Sequence, residues 1–425
     1  MLIIRAKHII LTLITFFGIS IIGAQNYLSS PYSRYGMGEI MPRTSAYNAS
    51  MGGVACAFAS PTVINFANPA SYTAYDSLSC LVDVAATYKT HTLRSGVHSQ
   101  KGGTAYLDYI AIGLPVTRWW RTTVGFQPYS SMCYTIASHD TVGTMGPYTA
   151  SFAGDGGINE IYWGNAFRLF KNCSIGFNAS FLFGKYAKMR QIEFEDEQAV
   201  NSIVANSHKI KAFTLDIGAQ YFISIKQKYR LGLGITYTPP INMISKSLNT
   251  ITTYLGAIDD TPTLLDSLYK ESETRNVHRM PHKVNAGISW SKEDKYFIGV
   301  DFSWAEWSRY AVNGISDSLA DSYKIAIGMG ITPNANSSNY MAKINISWGF
   351  NYEITRLKFD NQQLDKFGIN IGLSFPMKKS KTNIGLILEY GQVGTLKNDL
   401  IKENYFSATV NIRLHEKWYQ RLKLE

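Results

Sequence analysis

The sequence predicts an all-β protein: a transmembrane antiparallel β-barrel of about 14 strands with an N-terminal hatch or plug segment. Three observations predict it. Apolar and polar residues alternate in segment after segment from Leu78 onward, the signature of a strand with one apolar and one polar face. The connections between these segments are short and long in turn, giving one tight rim and one elaborated rim. Charge is sparse while Gly (34) and Tyr (27) are abundant, a mixture suited to a wall that is apolar outside and polar inside.

The stretch Asn404–Leu414 states the rule. Phe406, Ala408, Val410, Ile412 and Leu414 alternate with Tyr405, Ser407, Thr409, Asn411 and Arg413. Strands are expected near 78–91, 103–116, 120–137, 157–170, 172–190, 208–225, 228–246, 281–292, 294–309, 320–332, 340–357, 365–377, 382–393 and 403–415. Connections near 117–119, 171, 226–227, 293 and 378–381 are short, with a longer one at 333–339. Those near 138–156, 191–207, 247–280, 310–319 and 394–402 are long. The longest holds Asp259-Asp260, Pro262 and an expected short helix at Leu264–Glu271, and it should face outside the cell. Trp119, Trp120 and Trp290 fall near tight turns, and Trp304 and Trp307 toward the opposite rim, the heights of interfacial aromatic girdles. A soluble propeller or tandem sandwich would need blade-like repeats, which are not detected.

The N-terminus sets the compartment. Arg5 and Lys7 precede the apolar run Ile9–Ile22 and the small pair Gly23-Ala24, which reads as a cleavable secretory signal with Gln25 first in the mature chain. The run is shorter than the roughly 20 residues of a spanning helix, so membrane embedding falls to the strands. The expected divisions are a signal peptide at 1–24, a hatch or plug at 25–77, a barrel at 78–415 and a periplasmic tail at 416–425, in a Gram-negative outer membrane.

Several function classes are set aside. The formal charge of +10 falls to +8 without the signal, but Lys and Arg are scattered rather than gathered into a phosphate-tracking run, so nucleic acid is not expected. Cys56, Cys80, Cys133 and Cys173 lack metal-ligand spacing, and no disulfide or metal is assigned. The eight histidines accompany no nucleophile elbow and no zinc-protease helix, so the chain is read as non-enzymatic and without a cofactor.

The segment 25–77 is aperiodic. Ser33-Arg34-Tyr35-Gly36-Met37-Gly38, Met51-Gly52-Gly53 and Asn68-Pro69-Ala70 mark turns and close backbone approach rather than ladder pairing. Pro69 should fix a turn and hold Asn68 outside the helical region. By parity the wall turns Asp216, Asp301, Glu353, Glu389, Asn345, Asn370, Asn411 and Arg413 inward, with Glu389 and Arg413 expected to pair across neighbouring strands. These groups form either a polar translocation path or charge pairs that brace the lumen against the plug. The strand interiors offer few bulky apolar residues, so apolar ligand contacts would come from Met51, Val54, Phe58, Val63, Ile64 and Phe66. Pro128 lies inside the third strand, Arg121–Ile136, between Gln127 and Tyr129. Proline cannot donate to a ladder, so a local break is expected there.

The order Met51-Gly52-Gly53, a small-residue stretch, Asn68-Pro69-Ala70 and then about fourteen strands resembles the FadL family of outer-membrane transporters for hydrophobic compounds. It is similar also to the PorV-like branch in Bacteroidota, which serves protein secretion. The resemblance implies that 25–77 is a hatch and that a kinked third strand, here Gln127-Pro128-Tyr129, opens a lateral gate; a bulge that only bends the wall is the alternative at that position. It implies transport of small, long-chain fatty-acid-like compounds, or else a non-transporting docking subunit of a secretion or assembly complex. The implied partners are outer-membrane lipid, a hydrophobic small molecule and other outer-membrane or periplasmic proteins. The chain departs from the family at its end, where Glu416–Glu425 follows the last strand.

Overall fold

The computed structural model describes residues 30–77, 79–143, 146–196, 198–226, 228–256, 263–270, 274–292, 295–359, 362–377 and 380–417. The expected signal peptide at 1–24 and most of the expected tail at 416–425 lie outside them.

Fourteen strands form the wall: β1 Ser79–Ser95, β2 His98–Pro115, β3 Trp120–Val142, β4 Gly146–Arg168, β5 Cys173–Phe194, β6 Asn201–Ile225, β7 Tyr229–Thr238, β8 Lys283–Lys292, β9 Tyr296–Ala305, β10 Ser322–Ile331, β11 Asn345–Phe359, β12 Gln362–Pro376, β13 Asn383–Val393 and β14 Lys402–Lys417. Each pairs antiparallel with the next, and β14 closes on β1 from Ser79↔Lys417 to Arg94↔Lys402. Except where β2 and β3 part beyond Ile110↔Phe126, closure removes free edges, the condition under which a sheet can satisfy its amides inside lipid. All fourteen fall where the alternation placed them. On β9, Ile298, Val300 and Phe302 are exposed outward while Asp301 between them is buried inward.

The elaborated rim differs from expectation. The stretches 138–156 and 191–207 are largely continuations of β3 to β6, which run 22 to 25 residues. Consecutive residues there are exposed, as over His139–Val142, so the period-two apolar signal disappears while the hydrogen-bond ladder persists. The expected helix at Leu264–Glu271 is instead a strand, Thr263–Lys270, paired with Thr250–Leu255. Cross-strand pairing overrides the local helical pattern. Asn242–Leu255 leaves β7 across Pro239-Pro240 and pairs with the outer half of β6, while Thr274–Arg279 returns to β8 across Pro281. Prolines on both arms stop the ladder at one level, since neither can donate.

Ser30–Ser77 lies inside the wall. It begins near the elaborated rim, where the Ser30 hydroxyl donates to Glu403 (2.8 Å). It ends at the tight rim, where His415 lies 3.1 Å from Asp76.

Candidate functional site

The candidate site is the lumen, formed where this segment meets the wall. With few apolar periodicities to drive folding, the segment is ordered by polar side chains on its own backbone. Ser45 caps the one-turn helix Ala46–Ala49. Asn48 donates to Val54 O (2.8 Å), Asn65 to Ala55 O (2.7 Å) and Phe58 O (2.9 Å), and Asn68 to Cys56 O (2.7 Å). Asn68 is extended (φ −127°) and Pro69 starts the 3-10 turn Pro69–Ala74, as the Asn-Pro step requires.

The wall admits this backbone through small residues. Gly52 has φ +71°, and a β-carbon on it would sit 2.7 Å from the Phe350 carbonyl oxygen. Across from it, a β-carbon at Gly349 would overlap the backbone of Met51 and Gly52. Gly52 thus meets both demands that favour glycine, left-handed backbone and close approach. Met51, Val54 and Ile64 are fully buried, and Phe58, Val63 and Phe66 are nearly so. They pack against wall residues such as Tyr109, Tyr162 and Phe297.

Charge does the rest. Arg43 bridges Glu160 (2.7 Å) and Asp216 (2.5 Å), both almost fully shielded from solvent. Burial disfavours the guanidinium charge, but the two carboxylates outweigh it and hold Arg43 above the usual arginine range. Gln127 donates to the other oxygen of Glu160 (2.9 Å), and Thr238 donates to Asp216. Asp301 accepts the backbone amides of Ala55 and Cys56, each at 2.7 Å. Glu389 accepts from Tyr405 (2.8 Å). Arg413 donates to Ser374 and lies over the Tyr47 ring. The expected Glu389–Arg413 pair does not form: the register sets Glu389 opposite Ser407 and Arg413 opposite Asn383, about 20 Å apart along the strand. Glu353 lines a lumen cavity of about 320 Å³ together with Asp216, Asp301 and Glu389. Lys283, Lys324, Arg356 and Lys366 face the same space, and of the apolar candidates only Phe66 reaches it.

The third strand breaks where Pro128 stands. β2 and β3 pair only from Pro115↔Arg121 to Ile110↔Phe126. Beyond that point β3 keeps β4 on one side, with a register shift between Pro128 and Ser130. Its freed edge takes the N-terminal segment: Glu39↔Ser131, Ile40↔Ser130 and Met41 N to Tyr129 O (3.0 Å). β2 keeps β1 and carries its own register shift, which leaves Asp108 unpaired between Leu107 and Tyr109.

The shift at Tyr129 inverts the parity of β3: Thr123 and Gln127 face inward below it, Met132 and Tyr134 above. A one-residue slip flips the faces, so the expectation of few bulky apolar residues inside the wall fails in the outer half. There Met132, Tyr134, Ile158, Leu182, Tyr186 and Ile210 cluster with Met37 of the N-terminal segment. Strand parity alone would have placed Glu160 inward between Ile161 and Asn159; Arg43, in an aperiodic stretch, carried no such signal.

The fold is shared with outer-membrane transporters. It is similar to a Pseudomonas aeruginosa FadL homologue (TM-score 0.59, 11% identity, 89% of this chain and 99% of that one). It is similar also to the Pseudomonas putida toluene transporter TodX (0.59, 11%, 90% and 100%) and the Ralstonia pickettii toluene transporter TbuX (0.55, 11%, 88% and 99%). At such identity the likeness concerns the fold. No curated relative matches the sequence itself. The family model BamG matches residues 5–425, and this chain, a β-barrel sharing the fold of the FadL homologue, therefore belongs to the BamG family.

Proposed function

We propose that this chain is a docking body of the outer membrane, a barrel closed by its own N-terminal hatch that holds partner proteins of an assembly or secretion machine. The tight rim faces the periplasm and the elaborated rim the cell exterior, following the usual asymmetry of such barrels. The observation that carries this reading is how the hatch is held: Arg43 is clamped between Glu160 and Asp216, and Asp301 grips two hatch amides. An apolar compound passing this level would desolvate charged groups that are already paired, which is strongly unfavourable. Membership of the BamG family fits association with outer-membrane machinery. Depletion of the chain should lower the amounts of other outer-membrane proteins while leaving uptake of labelled oleate and toluene unchanged. Lost uptake with an unchanged protein profile would reverse the assignment.

A second reading is favoured by the break between β2 and β3 beside the apolar outer cluster. In it, small hydrophobic or long-chain fatty-acid-like compounds enter from outside and leave laterally into lipid past Gln127, Pro128 and Tyr129, with Val54, Phe58, Val63, Ile64 and Phe66 becoming contacts once the hatch shifts. Replacing Pro128 with Val should then let the ladder extend and reduce tracer uptake in a barrel that still assembles. Unchanged uptake with a continuous β2–β3 ladder would dispose of it.

A further inference from the structure

The basic surplus that looks scattered in the sequence is sorted by the fold. Among the described residues, the six tight turns between strands carry a formal charge of +7, and the seven connections on the opposite rim carry −1. The tight rim is therefore a cationic collar. Arg118, Lys171 and Lys228 are exposed on three successive turns, and Lys226 and Lys295 add to them.

The collar borders outward-facing aromatic and apolar residues. Trp119 is 56% exposed and stacks on Phe167 (5.9 Å between ring centres), and Phe170, next to Lys171, is 72% exposed. Further round, Lys292 lies 5.2 Å over the Tyr229 ring, which stacks on Trp290. Trp and Tyr at such positions mark the height of the headgroups, and lysine or arginine beside them reaches toward the interface while its stem stays in apolar surroundings.

We infer that this collar binds anionic phospholipid headgroups of the periplasmic leaflet, the aromatic residues seating in the acyl boundary and the turn cations meeting phosphates. An acidic protein could satisfy the charge, but exposed Trp119, Leu169 and Phe170 between the cations call for a partner with an apolar layer directly above its charged one. A bilayer supplies both. Each basic side chain at an anionic surface contributes roughly fivefold in affinity at moderate salt, and the contribution decays with ionic strength. The inference takes the tight rim as periplasmic, yet the lipid preference itself is measurable whichever leaflet it faces.

The test uses the purified full-length chain in mild detergent with an equimolar mixture of phosphatidylglycerol and phosphatidylethanolamine, counting retained lipids by native mass spectrometry. The wild-type chain should retain phosphatidylglycerol over phosphatidylethanolamine by about tenfold. Combining Arg118→Gln, Lys171→Gln, Lys226→Gln and Lys228→Gln should bring the ratio near one, whereas exchanging the same four positions between Lys and Arg should preserve it. Folding is checked by heat-dependent gel migration. If the fourfold variant does not fold, Lys226→Gln with Lys228→Gln alone should give an intermediate ratio. Equal retention of both lipids by the wild type, or a preference that survives neutralisation, overturns the inference. So does loss of a bound acidic protein from the neutralised chain while its lipid ratio stays at the wild-type value.

Discussion

Replacing Arg43 with Met is the sharpest probe of how the N-terminal segment is held inside the wall. The change keeps most of the side-chain volume and removes the charge between Glu160, whose side chain is fully shielded, and Asp216, 8% exposed. Removing one partner of a buried ion pair costs about 3–5 kcal/mol, because the other charge is left uncompensated. Here each carboxylate keeps a second donor, Gln127 on Glu160 and Thr238 on Asp216, so the lower end, about 3 kcal/mol, applies. That figure corresponds to roughly a hundredfold shift in the local opening equilibrium. Hydrogen exchange on the detergent-solubilised barrel reads it directly: amides protected between Ile40 and Cys56 should exchange about a hundredfold faster, with β8 to β13 unchanged. Adding Glu160→Gln and Asp216→Asn to the Met variant should restore most of the protection, since no unpaired charge then remains. Unchanged exchange in the single variant would refute the reasoning. So would equal acceleration in the triple variant, which would assign the effect to lost packing.

Two further outcomes follow from the same geometry. Gly349→Val places side-chain atoms where the Met51–Gly52 backbone runs, so the barrel should assemble while its N-terminal segment becomes cleavable by added protease; full protection would show that the wall yields instead. An epitope inserted near Asp260 should bind antibody on intact cells, and labelling only after permeabilisation would invert the rims.

The fold was legible because a membrane wall repeats one instruction, apolar out and polar in, and Asn404–Leu414 already contains it. Legibility ended where that instruction lapsed. The upper parts of β3 to β6 are wet on both faces, so their length was hidden, and Thr263–Lys270 took its strand form from a neighbour that no local pattern announces. Parity chose Asp216 and Asp301 correctly as inward groups, yet their partners are Arg43 and the Ala55 and Cys56 amides of the aperiodic segment. Pairing across a lumen depends on register and plug position, which is why Glu389 and Arg413, near in strand order, stand apart along the barrel. Pro128 was readable because its missing donor is a chemical fact of the residue. That the freed edge would take up Glu39 and Ile40 was not.

A single-particle structure of the chain extracted from its native outer membrane tests the docking account most directly. A docking body should show a stoichiometric partner seated on a rim, with Arg43 still between Glu160 and Asp216 and no lipid-like density in the lumen. A solitary barrel with elongated apolar density between the hatch and the Met132–Ile158 cluster would contradict it.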